Sequence, residues 1–560
     1  MAWYDEAIFY HIYPLGMTGA PKENNYGETE HRLNTLIPFI SELKKLGFNA
    51  LYIGPLFESV GHGYETTDYK KLDSRLGTNA DLTNFVKECH KHGIRVILDG
   101  VFNHTGRDFF AFRDIKNNRE VSRYKDWYCN VNFYGNNEYN DGFSYDNWGG
   151  YNLLAKLNQH NYEVREYISD VIRFWVMEFD IDGIRLDAAD VLDFEYMKTL
   201  RQVANEVKPD FWLMGEVIHG DYIRWVNGDT LHSVTNYHLH KALYSGHNDH
   251  NYFEIAHTVK RLYEMGGNRP DGLKLYNFVD NHDVERIYTK LNNKSHFIPV
   301  HILMYTLPGV PSVYYGSEFG IEGQKQRGSD DSLRPAITYE QYMDATKENG
   351  FVKLISRLGE IRKTEKALSY GDYKELLLTT GQYAFSRNYD GNSVIVTVNN
   401  ADNDFTMNLQ AFGATEYVGG LSGEKVPVIN GNITVNIKAN SGEIWIPVVG
   451  ESAEVEPLSV DVLEKTVEVV VSEEPEEIQE VVTAEESVKT EEPVTEEPVI
   501  IKEKPAVNPN KPYEEMTVSE LQEAIILKME QNGPVTDRMR RDVTENVYHD
   551  SLVTWVKSFR

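Results

Sequence analysis

Through the first 360 or so residues, short apolar runs alternate with longer stretches of helical period. Residues 8–13 read as a strand, 36–46 as a helix with apolar positions three and four apart, and 49–53 as the next strand. Residues 81–92 predict a helix closed by Gly93, and the strand expected at 94–98 is apolar enough for both of its faces to be covered. Further strands are expected at 183–186, 211–214, 233–235, 275–279 and 310–314, and the last helix of the series at 351–362. Eight strands alternating with helices predict an α/β fold, a TIM (β/α)8 barrel over residues 1–104 and 159–364. In such a barrel the chemistry gathers at the C-terminal ends of the strands.

Residues 105–158 break this rhythm. They are rich in Asn, Gly, Tyr and Trp, with Trp127-Tyr128 and Trp148-Gly-Gly150, and read as an insertion after the third strand. After residue 364 the period falls to two: strands at 383–387, 393–398, 433–437 and 443–446 predict an antiparallel β-sandwich over 365–449. Residues 450–510 are Glu/Val/Pro-rich, with Glu-Glu-Pro-Val at 491 and again at 496, and predict a disordered, self-repelling acidic linker. Helical period returns in 511–560. Thr517-Val-Ser-Glu520 has a capping-box pattern ahead of Leu521, Ala524, Ile525 and Leu527. Gly533-Pro534 stops that helix, and a second amphipathic stretch carries Val543, Val547, Leu552, Trp555 and Phe559. A helical module this small is marginal alone, so self-association or docking onto a protein partner or the catalytic body is expected of it.

Charge and composition narrow the function classes. A net charge of −30 argues against nucleic acid and anionic membrane surfaces as partners. Half of it belongs to residues 451–500, which hold 17 Asp/Glu against 2 Lys. Only Cys89 and Cys129 occur, which fits a reducing compartment. The N-terminus has no basic segment or small-residue cleavage site, and no apolar run approaches the roughly 18 residues of a membrane span. A cytoplasmic protein without signal peptide or membrane segment is expected.

The strand ends carry the candidate chemistry. After the third strand comes Asp99-Gly-Val-Phe-Asn-His104; Asp187 ends the fourth, Gly215-Glu216 the fifth, and Asp280-Asn-His-Asp283 follows the seventh. On the fourth strand Arg185 and Asp187 point to one side, Ile184 and Leu186 to the other. One buried Arg/Asp pair reads equally well as a structural ion pair. Carboxylates and histidines at four strand ends favour an active site.

These motifs resemble those of the α-amylase family of glycoside hydrolases, in its order and over about residues 8–449, as barrel, inserted B domain and C-terminal β-domain. The matching stretches are Asp99 to His104, Gly183 to Asp187, Glu216, and Phe278 to Asp283, together with His62-Gly-Tyr-Glu-Thr-Thr-Asp-Tyr69. The resemblance implies Asp187 as nucleophile, Glu216 as general acid/base and Asp283 as the carboxylate that stabilises the transition state. It also implies that His104 and His282 bind sugar hydroxyls, that Tyr64 forms a stacking floor, that Arg185 keeps Asp187 ionised, and that Asn103 supports its motif. Asp99 joins this substrate-binding set. Beside a cation, Asp187 is expected to be the lower-pKa partner, and Glu216, between Met214 and Val217, the higher. Leu154-Ala-Lys-Leu-Asn158 and Glu216-Val-Ile-His219 resemble motifs of neopullulanases, cyclomaltodextrinases and maltogenic amylases, which adds Lys156 and His219. Ile218 stands where that group commonly has an aromatic, and Ala188-Ala-Asp-Val191 matches neither of the endings the family uses.

The expected enzyme is a retaining α-glucan hydrolase cleaving α-1,4 bonds of maltooligosaccharides, cyclodextrins or starch fragments. A 4-α-glucanotransferase or an α-1,6-acting neopullulanase stays open beside it. A non-catalytic glucan-binding scaffold is disfavoured because all three carboxylates are kept. No cofactor is expected to be required, with Asn103 left as a candidate calcium ligand. The aromatics of 105–158 are expected either to stack on sugar faces or to form a small core.

Overall fold

The computed structural model describes residues 2–267, 272–448, 458, 512–513, 516, 518–532, 543 and 556–557. The chain divides into two units, Met1–Pro475 and Glu476–Arg560.

Eight parallel strands form the centre of the first unit: β1 (Phe9–Ile12), β2 (Ala50–Ile53), β3 (Arg95–Gly100), β4 (Gly183–Leu186), β5 (Trp212–Gly215), β6 (Ser233–Val234), β7 (Tyr276–Phe278) and β8 (Val310–Tyr314). Each pairs with its sequence neighbours, and β1 lies between β2 and β8, with Phe9 opposite both Ala50 and Ser312. A parallel bridge between Thr235 and Tyr276 joins β6 to β7 and closes the (β/α)8 barrel.

Both faces of these strands are buried, which explains their near-continuous apolar sequence. The outward set, with Tyr10, Leu51, Leu98, Ile184 and Leu186, packs in the main core beneath the helices. The inward set, with Phe9, Tyr52, Ile97, Trp212 and Met214, forms a separate core inside the barrel. Phe9 and Trp212 stack at 5.0 Å, and Trp3 and Tyr4 of the N-terminal turn pack against the same indole. On β4 the inward positions carry Arg185 and then Asp187, so the polar groups lie towards the strands' C-terminal ends.

The helices begin and stop where local chemistry dictates. Asn161 caps Tyr162–Phe179 by accepting the Glu163 N–H at 2.8 Å, and Asp193 caps Phe194–Val207 through the Tyr196 N–H. The helix Asn79–Lys91 is followed by Gly93 at φ +67°, as its sequence predicts.

Between β3 and β4 the inserted residues build a helix, Phe110–Asn118, and a three-stranded antiparallel sheet of His104–Gly106, Tyr151–Lys156 and Asn147–Trp148. The two readings of its aromatics divide by residue. Trp127 (5% exposed) and Tyr128 are core, whereas Trp148 is 39% exposed and Tyr151 is exposed.

Beyond the last barrel helix, Gly350–Thr364, a six-stranded antiparallel sheet faces the pair Phe405–Gln410 and Asn432–Ile437. Ile395, Tyr417 and Trp445 of the sheet meet Met407, Leu409 and Val435 of the pair in one core. Four strands join those expected from sequence: Lys374–Leu378, Phe405–Gln410, Glu416–Gly419 and Lys425–Pro427.

In the second unit the helix Val518–Asn532 buries Leu521, Ala524, Ile525, Ile526 and Met529 with Met516, Val543 and Val556. Leu527, expected on the apolar face, is exposed instead, because Ile526 and Met529 fill that face. The expected linker, apart from Leu458, lies outside the described residues, as do Thr517, Gly533-Pro534, Val547, Leu552, Trp555 and Phe559. Among the described residues no helix is long and apolar enough to cross a membrane.

Candidate active site

The barrel gathers four of the expected carboxylates around two cations. Arg185, 3% exposed, projects inward from β4 and binds three of them. Its Nη1 donates to Asp99 Oδ1 (2.8 Å) and to Asp187 Oδ1 (3.0 Å), and its Nη2 lies 2.9 Å from Glu216 Oε2. The chain past β4 turns through Ala188, whose left-handed backbone (φ +46°, ψ +44°) lets its N–H donate to Glu216 Oε2 at 3.0 Å.

Asp283, beyond β7, has separate partners. Its Oδ1 accepts from Arg334 Nη2 at 2.8 Å, and its Oδ2 lies 3.1 Å from His282 Nε2. The Asn281 side chain accepts the Asp283 N–H at 2.8 Å and fixes the turn. Arg334 also donates to the His282 carbonyl at 2.9 Å and covers the Tyr13 ring at 4.6 Å.

These partners set the charges. Burial pushes Asp187 well above the ordinary carboxylate range; Arg185 opposes this, while Glu216, Asp99 and Asp283 add to it. Glu216 is also raised, by burial first and then by Asp283, with Arg185 and the Ala188 N–H opposing. Burial acts in the same sense on Asp283, but His282 and Arg334 outweigh it and hold the group well below the usual range. The expected order, with Asp187 as the low member of the pair, is therefore not found. Arg185 does not belong to Asp187 alone: it is divided among three carboxylates.

The other expected residues fall into distinct places. Tyr64 is half-buried, donates to Asp99 Oδ2 at 3.2 Å, hydrogen-bonds His282 and stacks on its ring at 5.8 Å. Buried His104 contacts the Tyr64 carbonyl at 3.2 Å, and burial lowers its pKa to about 4, leaving a neutral imidazole near pH 7. Asp99 does not face open space. Its oxygens are taken by Arg185, Tyr64 and the Tyr52 hydroxyl (2.8 Å), so it acts as a support. Lys156 is half-buried on the strand opposite His104. His219 is exposed beside Asp190, outside the carboxylate cluster.

Asn103 is fully buried, and its Oδ1 accepts from Gln159 Nε2 at 3.0 Å. The Leu157 N–H donates to its carbonyl, which ties the end of the insertion to the His104 strand. Among the described residues no group of three or more His, Cys, Asp or Glu stands in a metal-holding arrangement. Between the segments that follow β1 and β2, the oxygens of Pro21, Lys22, Gly61 and Asp73 converge on the guanidinium of Arg75, at 2.7 to 3.1 Å. A protein cation thus fills an oxygen-rich nest.

Three residues of the site were missed in the sequence. Tyr52 and Tyr13 read there as strand residues. Arg334 lies in the loop after β8, where no periodic signal reaches; its one trace is Asp330 four residues earlier, 3.2 Å away.

With this geometry in view, comparison with known proteins is direct. The profile of the α-amylase catalytic domain matches residues 25–366. A cyclomaltodextrinase from a Bacillus species is 31% identical over 423 residues, 71% of this chain and 73% of that protein. Neopullulanase 2 of Thermoactinomyces vulgaris is 31% identical over 471 residues, 79% of this chain and 78% of its own length. A solved cyclomaltodextrinase superposes with a TM-score of 0.69 at 26% identity, covering 79% of this chain and 78% of the other. The barrel with its inserted and C-terminal β-domains is therefore an inherited architecture, and the chain belongs to the α-amylase family of glycoside hydrolases, in the group of the cyclomaltodextrinases, neopullulanases and maltogenic amylases.

Proposed function

We propose that the enzyme hydrolyses α-1,4-glucosidic bonds of maltooligosaccharides, cyclodextrins or starch fragments with retention of configuration. The observation that carries this reading is the Arg185 guanidinium bonded to both Asp187 and Glu216. One fork holding two carboxyl groups favours the separation of about 5–5.5 Å used by the two-step route over the roughly 6.5–9.5 Å of the one-step route. The names of the relatives, cyclomaltodextrinase and neopullulanase, support the substrate class.

In the first step the Asp187 carboxylate attacks the anomeric carbon, the C–O bond to the leaving sugar breaks, and Glu216 gives its proton to the departing oxygen. Water then attacks the same carbon, its proton goes to Glu216, and the bond to Asp187 breaks. Burial raises both Asp187 and Glu216, which favours a shared proton on the pair, the acid that this route needs. Asp283, held ionised, faces the positive charge that develops on the sugar. Tyr64, backed by His282, offers its ring to the same sugar. A reducing, cytoplasmic setting is supported by the two unpaired cysteines.

Asp187→Asn is expected to lower turnover of maltotetraose or β-cyclodextrin on the order of 10⁴-fold while thermal unfolding stays close to wild type. Unchanged activity would sink the mechanism. NMR of the first-formed product should show the α-anomer ahead of mutarotation; a β-anomer would rule out the two-step route. Pullulan and maltotriose digests separate the neighbouring readings. Cleavage of the α-1,6 bonds of pullulan marks an α-1,6-acting enzyme, and products longer than maltotriose mark transfer.

A further inference from the structure

The inserted domain ends in a hairpin beside His104. Asn147–Trp148 and Tyr151–Lys156 are joined by Gly149 and Gly150, both at positive φ (+63° and +84°), and a Cβ at Gly150 would meet nothing within 4 Å. Trp148 pairs with Tyr151 across this open turn, but Asn147 pairs with Ala155, so the register shifts between the two residues. Such an irregularity re-aims the side chain beside it. Here it brings the Trp148 ring to 6.0 Å from that of His104, tilted by 32°. His104 is buried, while Trp148 keeps 39% of its surface exposed. Among the described residues the Trp148 side chain has one ring neighbour, His104. A large indole face is thus left partly open to solvent beside the buried His104. Trp127 and Tyr128, in the same domain, are buried in its core as ordinary packing requires.

The geometry points to Trp148 as a specificity residue that stacks on the sugar unit adjoining the one His104 contacts, so that this hairpin sets the enzyme's preference for longer α-glucans. An indole offers a flat face to the C–H side of a pyranose, and stacking of this kind is tolerant of small shifts along a flexible oligosaccharide. The inference rests on the site being an α-glucan site, and deepens that reading.

Two variants and two readouts test it. Trp148→Ala is expected to raise KM for maltoheptaose about five- to tenfold, with kcat moving much less, and Trp148→Phe to recover most of the loss. Thermal unfolding should match wild type in both. Calorimetric titration of maltoheptaose into Asp187→Asn, with and without Trp148→Ala, should show the same factor in Kd. An unchanged KM and Kd in Trp148→Ala overturns the inference. So does an equal loss in the Ala and Phe variants, or a fall in unfolding temperature that accounts for the change. If wild type fails to turn over maltoheptaose, the hydrolase reading fails separately, and the Kd comparison still decides the role of Trp148.

Discussion

Two carboxylate sites share the mouth of one barrel and carry opposite charge tendencies. In one, a single guanidinium, Arg185, serves Asp99, Asp187 and Glu216. In the other, Arg334 and His282 both flank Asp283, with Arg334 also reaching Asp330. The first site pushes Asp187 and Glu216 up; the second holds Asp283 down. Burial raises all three, so the ratio of cations to carboxylates decides the outcome. That division suits a glycosidase, which needs an acid with a proton to give and a separate anion that never takes one.

The strongest way to break this contrast is to remove the shared cation. Arg185→Met leaves three buried carboxylates without a guanidinium, and a loss of about 3–5 kcal/mol in urea unfolding is expected. A fall in kcat/KM on the order of 10³-fold or more should accompany it. Arg185→Lys keeps the charge but cannot reach both sides of the fork, so it should fall between. Wild-type stability in Arg185→Met would mean that the cluster is already neutral without its arginine.

Removing the other cation should act more gently. Arg334→Met leaves His282 in place, and about a 10²-fold loss of kcat/KM is expected. The pH dependence carries the sign. Asp283 is held below its ordinary value, so it stays ionised as pH falls. Without Arg334 its pKa rises, and the acid limb of the kcat/KM profile should move to higher pH. An acid limb that stays in place would show that His282 alone sets the charge of Asp283.

How much of this was legible in the sequence follows from where each residue sits. Gly183–Leu186 and Val310–Tyr314 are strands within the limits that their apolar runs predict, because strands covered on both faces leave an unbroken apolar signal. The four carboxylates were legible because each follows such a strand. The edge strand Lys374–Leu378 was not, since its exposed Lys374 and Glu375 mask the period. Phe405–Gln410 does alternate, with Met407 and Leu409 inward, over too few residues to stand out. Arg334 was illegible for a physical reason: a loop residue is placed by tertiary contacts, and its spacing from Asp283 follows no period. The same limit explains Asp187. Sequence shows that Arg185 stands beside it, but not that Asp99 and Glu216, 86 residues before and 31 after Arg185, draw on the same guanidinium.

A third buried carboxylate extends the comparison to its limit. Glu318, in the turn after β8, is fully buried; its Oε1 accepts from the Tyr10 hydroxyl at 2.6 Å, and its Oε2 has no partner among the described atoms. The nearby Arg286 is committed to the carbonyls of Tyr315 and Leu333 and the Ser317 hydroxyl. With no cation of its own, Glu318 is raised by burial to about 7. The folded chain therefore keeps a proton that the unfolded chain releases near the ordinary value of 4.5. The stability this group contributes is full below that value and is lost as pH rises through about 7. Glu318→Gln keeps an acceptor for Tyr10 and stays neutral at every pH. Urea unfolding of the two proteins should therefore agree near pH 4 and diverge by pH 8, where the variant is expected to be more stable by on the order of 3 kcal/mol. Turnover at pH 6 should change little, because Glu318 makes no contact with the Arg185 or Arg334 groups. Equal stability at both pH values would show that burial without a cation does not hold this proton, and the rule drawn from the two active-site groups would not extend beyond them.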